Sequence, residues 1–309
     1  MSVALISHPA CLEHDTGEWH PECADRLRYV LRALEDEAFL PLIRESAPLA
    51  TDEQILRVHP ERYLRDLLAV APGPGELVPL DADTIMSAGS REAALRSAGG
   101  AVAAVDAVME GWAKSAFVAT RPPGHHAETN RPMGFCLFAN AAIAARHAQA
   151  RWGLGRVAVV DFDVHHGNGT QEIFYADPSL FYGSSHQYPC YPGTGAAEER
   201  GAGNVVNAPL PPGSTGTEFR TAWDETILPA LDAFAPELII VSAGFDAHKA
   251  DPLAQLRLET SDFGWITGRL MALARIHCGG RLVSLLEGGY DLDALAASAA
   301  LHVRTLMEG

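Results

Sequence analysis

The sequence predicts an α/β fold built on a mainly parallel sheet with helices on both faces. Three observations carry that expectation. Apolar β-forming runs such as Val157-Ala158-Val159-Val160, Leu238-Ile239-Ile240-Val241 and Leu282 to Leu286 are continuous rather than alternating, as strands buried on both faces are. Segments with helical periodicity stand between them, and strand–helix alternation implies crossover connections and a parallel sheet. The runs also end in polar clusters, near Asp163, Asp246 and Tyr290, with a further one near His125. In open α/β sheets, ligands bind outside the carboxyl ends of the strands, so these clusters are expected to meet.

In chain order, Val3 to Ile6 reads as the first strand, stopped by Ser7-His8-Pro9. A polar loop, HDTGEWH (14–20), leads to Pro21, placed at the first position of a helix. Leu27, Val30, Leu31 and Leu34 give that helix one apolar stripe. Thr51 with Gln54 is a capping box for a second helix, ended by His59-Pro60. Tyr63, Leu64, Leu67 and Leu68 continue a helical pattern to the turn at 71–75. An Ala-rich helix runs from Arg91 to Met109, Ala116 to Val118 is a strand, and Phe138 to Trp152 is helical. After the strand at Val157, Ser179 to Tyr182 is another, followed by a long Gly/Pro/Tyr-rich loop from Gly183 to Gly203, a length that points to a functional loop. Ser261-Asp262 caps an apolar helix ended by Gly279-Gly280. The strand from Leu282 delivers Glu287-Gly288-Gly289-Tyr290, and Leu292 to Met307 closes the chain as a helix. With no linker, low-complexity tract or repeat, residues 1–309 are expected to form one domain.

The 309 residues are 48% hydrophobic and 20% charged, the balance of a globular protein. A formal charge of −16 argues against an extended nucleic-acid surface, which needs clustered Lys and Arg. No segment reaches the ~20 apolar residues of a membrane span. The N-terminus lacks the basic start of a secretory signal. Cys11, Cys23, Cys136, Cys190 and Cys278 are scattered and odd in number, the pattern of reduced thiols. A cytoplasmic protein is expected. Nothing in the sequence either demands or forbids a homo-oligomer.

The richest stretch is DFDVHHGNGT (161–170). Carboxylates and imidazoles bunched where an apolar strand ends are costly to desolvate unless compensated, and a divalent metal is the simplest compensation. On an extended segment Asp161, Asp163 and His165 would share one side. Asp163, His165 and Asp246 together would give zinc three protein ligands and an open position, the arrangement of a catalytic site. His125-His126 could move a proton, and Tyr290 could donate to a developing oxyanion. The sum describes metal-assisted amide hydrolysis. Plainer readings stand beside each piece: His125-His126 as loop residues, Tyr290 as turn filling, Asp246 as a helix cap. His14 and His20 suit metal binding, loop anchoring or a place at the substrate rim. His59, His147, His277 and His302 read as structural or surface residues, His186 and His248 have no assigned task, and Cys136 reads as a packed residue rather than a nucleophile.

Five motifs in order, RPPGHHA (121–127), GFCLFAN (134–140), DFDVHHGNGTQ (161–171), SAGFDAHKADPL (242–253) and EGGYDL (287–292), resemble the zinc-dependent histone deacetylase family, which includes bacterial histone-deacetylase-like and acetylpolyamine amidohydrolases. The resemblance covers nearly the whole chain. It implies the arginase/deacetylase three-layer αβα sandwich. It implies Asp163, His165 and Asp246 as zinc ligands, His125 and His126 as catalytic histidines backed by Asp161 and Asn168, and Tyr290 as the catalytic tyrosine. Asn168 stands where many members have Asp, which should leave His126 less basic. Gly134 and Phe135 match one wall of an acyl-lysine channel, Tyr191 falls where the family usually has the opposing Phe, and Gly288 and Leu253 complete the substrate-facing set. A potassium ion is implied on backbone carbonyls of Asp161, Asp163 and His165 with Ser184.

The resemblance leaves the substrate open between acetyl-lysine in proteins and acetylated small amines. Polyamine-selective members carry Glu shortly after the Asp-Pro where this chain has Leu253, while HDTGEWHPE (14–22) resembles class II-like deacetylases. Two alternatives are a two-manganese ureohydrolase on the same fold, for which a second set of bridging carboxylates is lacking, and a non-catalytic module that binds acetylated amines. Fe²⁺ could replace Zn²⁺ at such a site.

Overall fold

The computed structural model describes residues 2–309. Among them, ten strands arise where the sequence places β-branched and small apolar runs, and eight of these join in one sheet. The strands are β1 (Val3–Ser7), β2 (Ile43–Ser46), β3 (Val78–Pro79), β4 (Ile85–Met86), β5 (Ser115–Val118), β6 (Val157–Asp161), β7 (Leu180–Gln187), β8 (Val205–Leu210), β9 (Leu238–Ala243) and β10 (Leu282–Leu286). The large sheet has the order β2-β1-β5-β10-β9-β6-β7-β8, every pairing parallel. β3 and β4 form a separate antiparallel hairpin. The order matters for function: β10 and β9 lie between β5 and β6, so the four strands that end in polar clusters are consecutive neighbours.

The α-helices of the described residues are α1 (Ala24–Ala33), α2 (Asp52–Leu56), α3 (Glu61–Ala69), α4 (Ser90–Glu110), α5 (Asn140–Trp152), α6 (Asn168–Phe174), α7 (Gly216–Ala222), α8 (Leu228–Phe234), α9 (Thr260–His277) and α10 (Leu292–Glu308). Alternate strand residues face opposite helix layers, as a period of two requires. Val3, Leu5, Phe117, Val160, Ile239 and Val241 pack with Leu27, Val30, Phe263, Leu270, Leu295 and Val303 of α1, α9 and α10. Ala4, Ile6, Ala116, Val118, Val159, Ile240 and Val283 pack on the small residues of α4 and α5. The α/β expectation, a mainly parallel sheet between two helix layers, is met.

Some boundaries differ from expectation. Pro21 does not open α1, because residues 20–23 are held in a turn by tertiary bonds: the Glu22 amide donates to His20 Nδ1, and the Glu22 carbonyl accepts from Thr16 and Arg121. Ser261-Asp262 is not the cap of α9; Glu259 is, in a reciprocal box with Asp262. The first five residues assigned to the 183–203 loop belong to β7, which continues to Gln187 beside β8. β8 carries Pro209 and escapes a strand pattern, yet as the edge strand it tolerates that proline. The segment after β6 is not extended: Asp161 Oδ1 accepts the Asp163 amide at 3.1 Å, turning the chain into α6.

Candidate active site

Asp163 and His165 follow β6, and Asp246 follows its neighbour β9. Their ligand atoms all lie within 4.8 Å of one another, and all three residues are buried. Backbone amides aim the carboxylates. Asp163 Oδ1 accepts from His165 N and Oδ2 from Gly288 N, both at 2.8 Å, while Asp246 Oδ1 accepts from Val164 N at 2.9 Å. His165 Nδ1 lies 3.2 Å from Asp163 Oδ1 and 3.1 Å from Asp246 Oδ2. Burial and the charge of Asp163 push the Asp246 carboxyl up to about 7. Burial opposes charge on His165 too, but its two carboxylate partners outweigh that and hold it well above the ordinary imidazole range. The cluster therefore wants a cation between its carboxylates, and the backbone leaves room for one. A Cβ on Gly288 would fall 2.2 Å from Asp246 Oδ2 and 2.5 Å from Asp163 Oδ2, in the gap the two carboxylates face. Two oxygens and one imidazole nitrogen suit a divalent metal with a position left open.

His125 and His126 follow β5, their rings 4.0 Å apart, yet they differ electrically. His125 Nδ1 is 3.0 Å from Asp161 Oδ2, which also accepts from the Tyr182 hydroxyl at 3.1 Å. Burial lowers the His125 pKa, but Asp161 and Asp163 overcome it and raise it to about 10. His126 Nδ1 is 2.8 Å from Asn168 Oδ1. Burial, then the charges of His125 and His165, push His126 well below its ordinary value. The surroundings thus favour charge on one ring and oppose it on its neighbour. Asp161 serves His125 rather than the metal cluster, so it does not share the task of Asp163 and His165 as a uniformly extended segment would have had it.

Tyr290 follows β10. Its amide donates to Asp251 Oδ2 at 2.7 Å, and its ring lies 4.8 Å beneath the Arg26 guanidinium. Burial keeps the phenol protonated, pushing it well above its usual range against the pull of Arg26. Phe135 packs edge-on against Tyr290 at 5.9 Å and His20 at 4.8 Å, while Tyr191 packs on His126 at 5.1 Å and His165 at 6.2 Å. Gly134 adopts φ +55°, and a Cβ there would lie 2.4 Å from His126 Cδ2, so glycine alone lets this wall approach the histidine. Leu253 is exposed; its link to the site is its amide on Asp251 Oδ1 at 3.0 Å. Ser184, fully buried, pairs with Asp161 across the β6–β7 ladder, and its hydroxyl is 2.9 Å from His186 Nδ1.

The remaining histidines take structural tasks. His14 bonds Ser90 Oγ at 2.7 Å, and His20 bonds the Asp83 carbonyl and packs on Phe135. His166 sits between Thr194 and Gln171. His59 and His302 are buried and hydrogen-bonded, His147 is bonded to Asp106, and His277 to Asp232. Burial pushes the Cys136 thiol up, in keeping with a packing role.

Sequence reasoning missed the residues that carry this site from behind. Glu287 Oε2 accepts the amides of Gly124 at 2.7 Å and His125 at 3.2 Å. Arg26 donates to the carbonyls of Gly289 at 2.6 Å and Glu287 at 2.5 Å. Glu22 binds both Arg26 and Arg121, all three fully buried. The sequence did carry a signal, charge in the wrong place: Arg121, Asp251 and Glu287 lie inside the five motifs, and Glu22 and Arg26 stand at i, i+4.

The histone deacetylase domain matches residues 20–306 of this chain. The histone deacetylase-like amidohydrolase of Pseudomonas aeruginosa is 45% identical over 291 residues, 93% of this chain and 75% of that protein. Histone deacetylase 14, chloroplastic, of Arabidopsis thaliana is 41% identical over 323 residues, 98% of this chain and 76% of that protein. The crystal structure of the HDA15 HD domain superposes with a TM-score of 0.93 at 35% identity, covering 99% of this chain and 88% of that one. The sheet order, the four converging strand ends and a domain match over most of the length lead to one conclusion: the chain belongs to the histone deacetylase family, whose fold it has and whose deacetylase or amidohydrolase activity its relatives support.

Proposed function

We propose that residues 1–309 act as one zinc-dependent amidohydrolase domain that removes acetyl or related acyl groups from acetyl-lysine or acetylated small amines. The observation that carries the reading is the meeting of His125, His126 and the Tyr290 turn around the Asp163–His165–Asp246 cluster. Zinc held by those three residues would supply Lewis-acid polarisation of the amide carbonyl and acidify a water. The chain's own groups do the rest. His126 accepts the water proton at Nε2 as the water oxygen bonds to the carbonyl carbon. Tyr290 donates its hydroxyl hydrogen to the carbonyl oxygen as negative charge grows there. His125, held cationic by Asp161, adds positive charge nearby. The carbon–nitrogen bond then breaks, and His126 returns its proton to the leaving amine.

Phe135 and Tyr191 with Gly134 form the walls for the acyl-bearing chain, Gly288 closes its inner end, and Leu253 stands at the outer rim. Potassium on the carbonyls of Asp161, Asp163 and His165 belongs to the same proposal: Ser184 can give its hydrogen to His186 and turn its lone pairs to a cation. Five unpaired cysteines support a reducing, cytoplasmic setting. No described helix is long and apolar enough to cross a membrane.

The test is a fluorogenic acetyl-lysine assay alongside acetylputrescine, with and without chelator. Turnover should vanish with chelator and return with stoichiometric zinc. An absence of chelator-sensitive turnover on every acyl-lysine and acetylated amine would overturn the proposal.

A further inference from the structure

We infer that Glu128 is a positioning residue for the catalytic proton acceptor, acting through Asn168 to set the tautomer of His126. The inference rests on the deacetylase reading for its consequence but on hydrogen-bond chemistry for its content.

His125 and His126 are backed by different chemistry. Asp161 behind His125 is a carboxylate, which only accepts, so the Nδ1 hydrogen of His125 has one place to go. Asn168 behind His126 is a carboxamide with an accepting oxygen on one side and a donating NH₂ on the other. With its oxygen toward His126 Nδ1, the imidazole carries hydrogen on Nδ1 and leaves Nε2 bare, the form that can take a proton. Turned over, the amide would donate to Nδ1, the ring hydrogen would move to Nε2, and the reacting nitrogen would have no lone pair to offer.

Nothing within the Asn168–His126 pair chooses between these arrangements. The far side of the amide does. Asn168 Nδ2 lies 2.8 Å from Glu128 Oε1 and 3.3 Å from Met133 Sδ, both acceptors. Turning the amide would set its oxygen against the Glu128 carboxylate with no hydrogen between them. Asn168 is buried, so water is poorly placed to relieve that clash. Glu128 is itself held by the paired amide and carbonyl bonds between 128 and 131. The relay His126–Asn168–Glu128 therefore replaces the direct carboxylate that His125 enjoys.

The experiment compares the zinc-loaded wild type, Glu128→Ala, Asn168→Asp and the double variant, by steady-state kinetics and by ¹⁵N imidazole spectra with zinc content measured in each. Glu128→Ala should lower kcat about 10- to 100-fold, leave KM within about twofold, and add an Nε2–H form of His126 to the spectrum. Asn168→Asp alone places two carboxylates together and should also be impaired. The double variant restores an acceptor-only partner behind His126 and should recover kcat to within about threefold of wild type. An unchanged His126 spectrum in Glu128→Ala, or a double variant as slow as Glu128→Ala, would show that Glu128 merely supports its turn. The spectra decide this even if the wild type deacetylates nothing, the separate result that would sink the deacetylase reading.

Discussion

At the scale of single residues, the candidate site gives neighbouring identical side chains different surroundings. Two adjacent imidazoles diverge, one toward about 10 and the other well below its usual value. Burial opposes charge on both, but the Asp161 and Asp163 carboxylates overcome it at His125, while the charges of His125 and His165 add to it at His126. Tyr290→Phe removes one hydroxyl and should lower kcat 100- to 1000-fold, on the order of 3–4 kcal/mol, with zinc retained. Kinetics paired with elemental analysis checks this, and near-normal hydrolysis would remove Tyr290 as the oxyanion donor. Gly288→Ala should act differently. Its methyl would enter the gap between Asp163 and Asp246, so the variant is expected to fold yet bind zinc at well below one equivalent. Full metal content in that variant would contradict the placement of the metal.

At the scale of elements, the loops after β5 and β10 are tied to the N-terminal segment by one buried ion network. Glu22 meets Arg121 Nη2 at 2.7 Å and Arg26 Nη1 at 2.9 Å, and Arg26 in turn holds the carbonyls of residues 287 and 289. Removing one partner of such a network leaves buried charge uncompensated, a loss of about 3–5 kcal/mol; Glu22→Gln should show it as a lower denaturation midpoint. Burial alone would raise the Glu22 pKa, but the two arginines bring it from its ordinary 4.5 down to about 2. The folded state thus holds this proton less tightly than the unfolded chain. The network's stabilisation is complete above about pH 4.5 and fades as pH falls toward 2. Over that window Glu22→Gln should lose less stability than the wild type. Parallel slopes would place the acid sensitivity elsewhere.

For the whole molecule, acid should begin to act well above the carboxylate range. His14 and His59 are lowered by burial to about 4, and His302 to about 3. Each is neutral when folded, while in the unfolded chain each takes up a proton near pH 6.5. Stability is therefore expected to decline as pH falls from 6.5 toward 4, because protons favour the unfolded state. Urea midpoints measured from pH 7.5 to 4.5 read this directly, and a flat profile down to pH 5 would refute it. The same scale explains why one site exists at all. Four strand ends remote in sequence are adjacent because β9 and β10 insert between β5 and β6.

The sequence by itself determined the α/β class, most of the long central elements and the chemistry-bearing residues. Buried strands must be apolar throughout, and the polar residues just past their ends stand out against that background. Asp163, His165, Asp246, His125, His126 and Tyr290 were legible for this reason, and the five ordered motifs made their kinship legible too. Local patterns did not reveal β2, the 78–86 hairpin, β8 or the helices between 216 and 234. Short, partly exposed and charged segments carry little periodicity, and their conformation is decided by their packing partners. The family resemblance already put Asp161 behind His125; only the tertiary structure decided that Glu287 and Arg26 hold the loops after β5 and β10, and that Glu128 stands behind Asn168. Hydrogen bonds join these groups across gaps of up to 263 residues, and no local spacing records which buried acceptor a distant donor will meet.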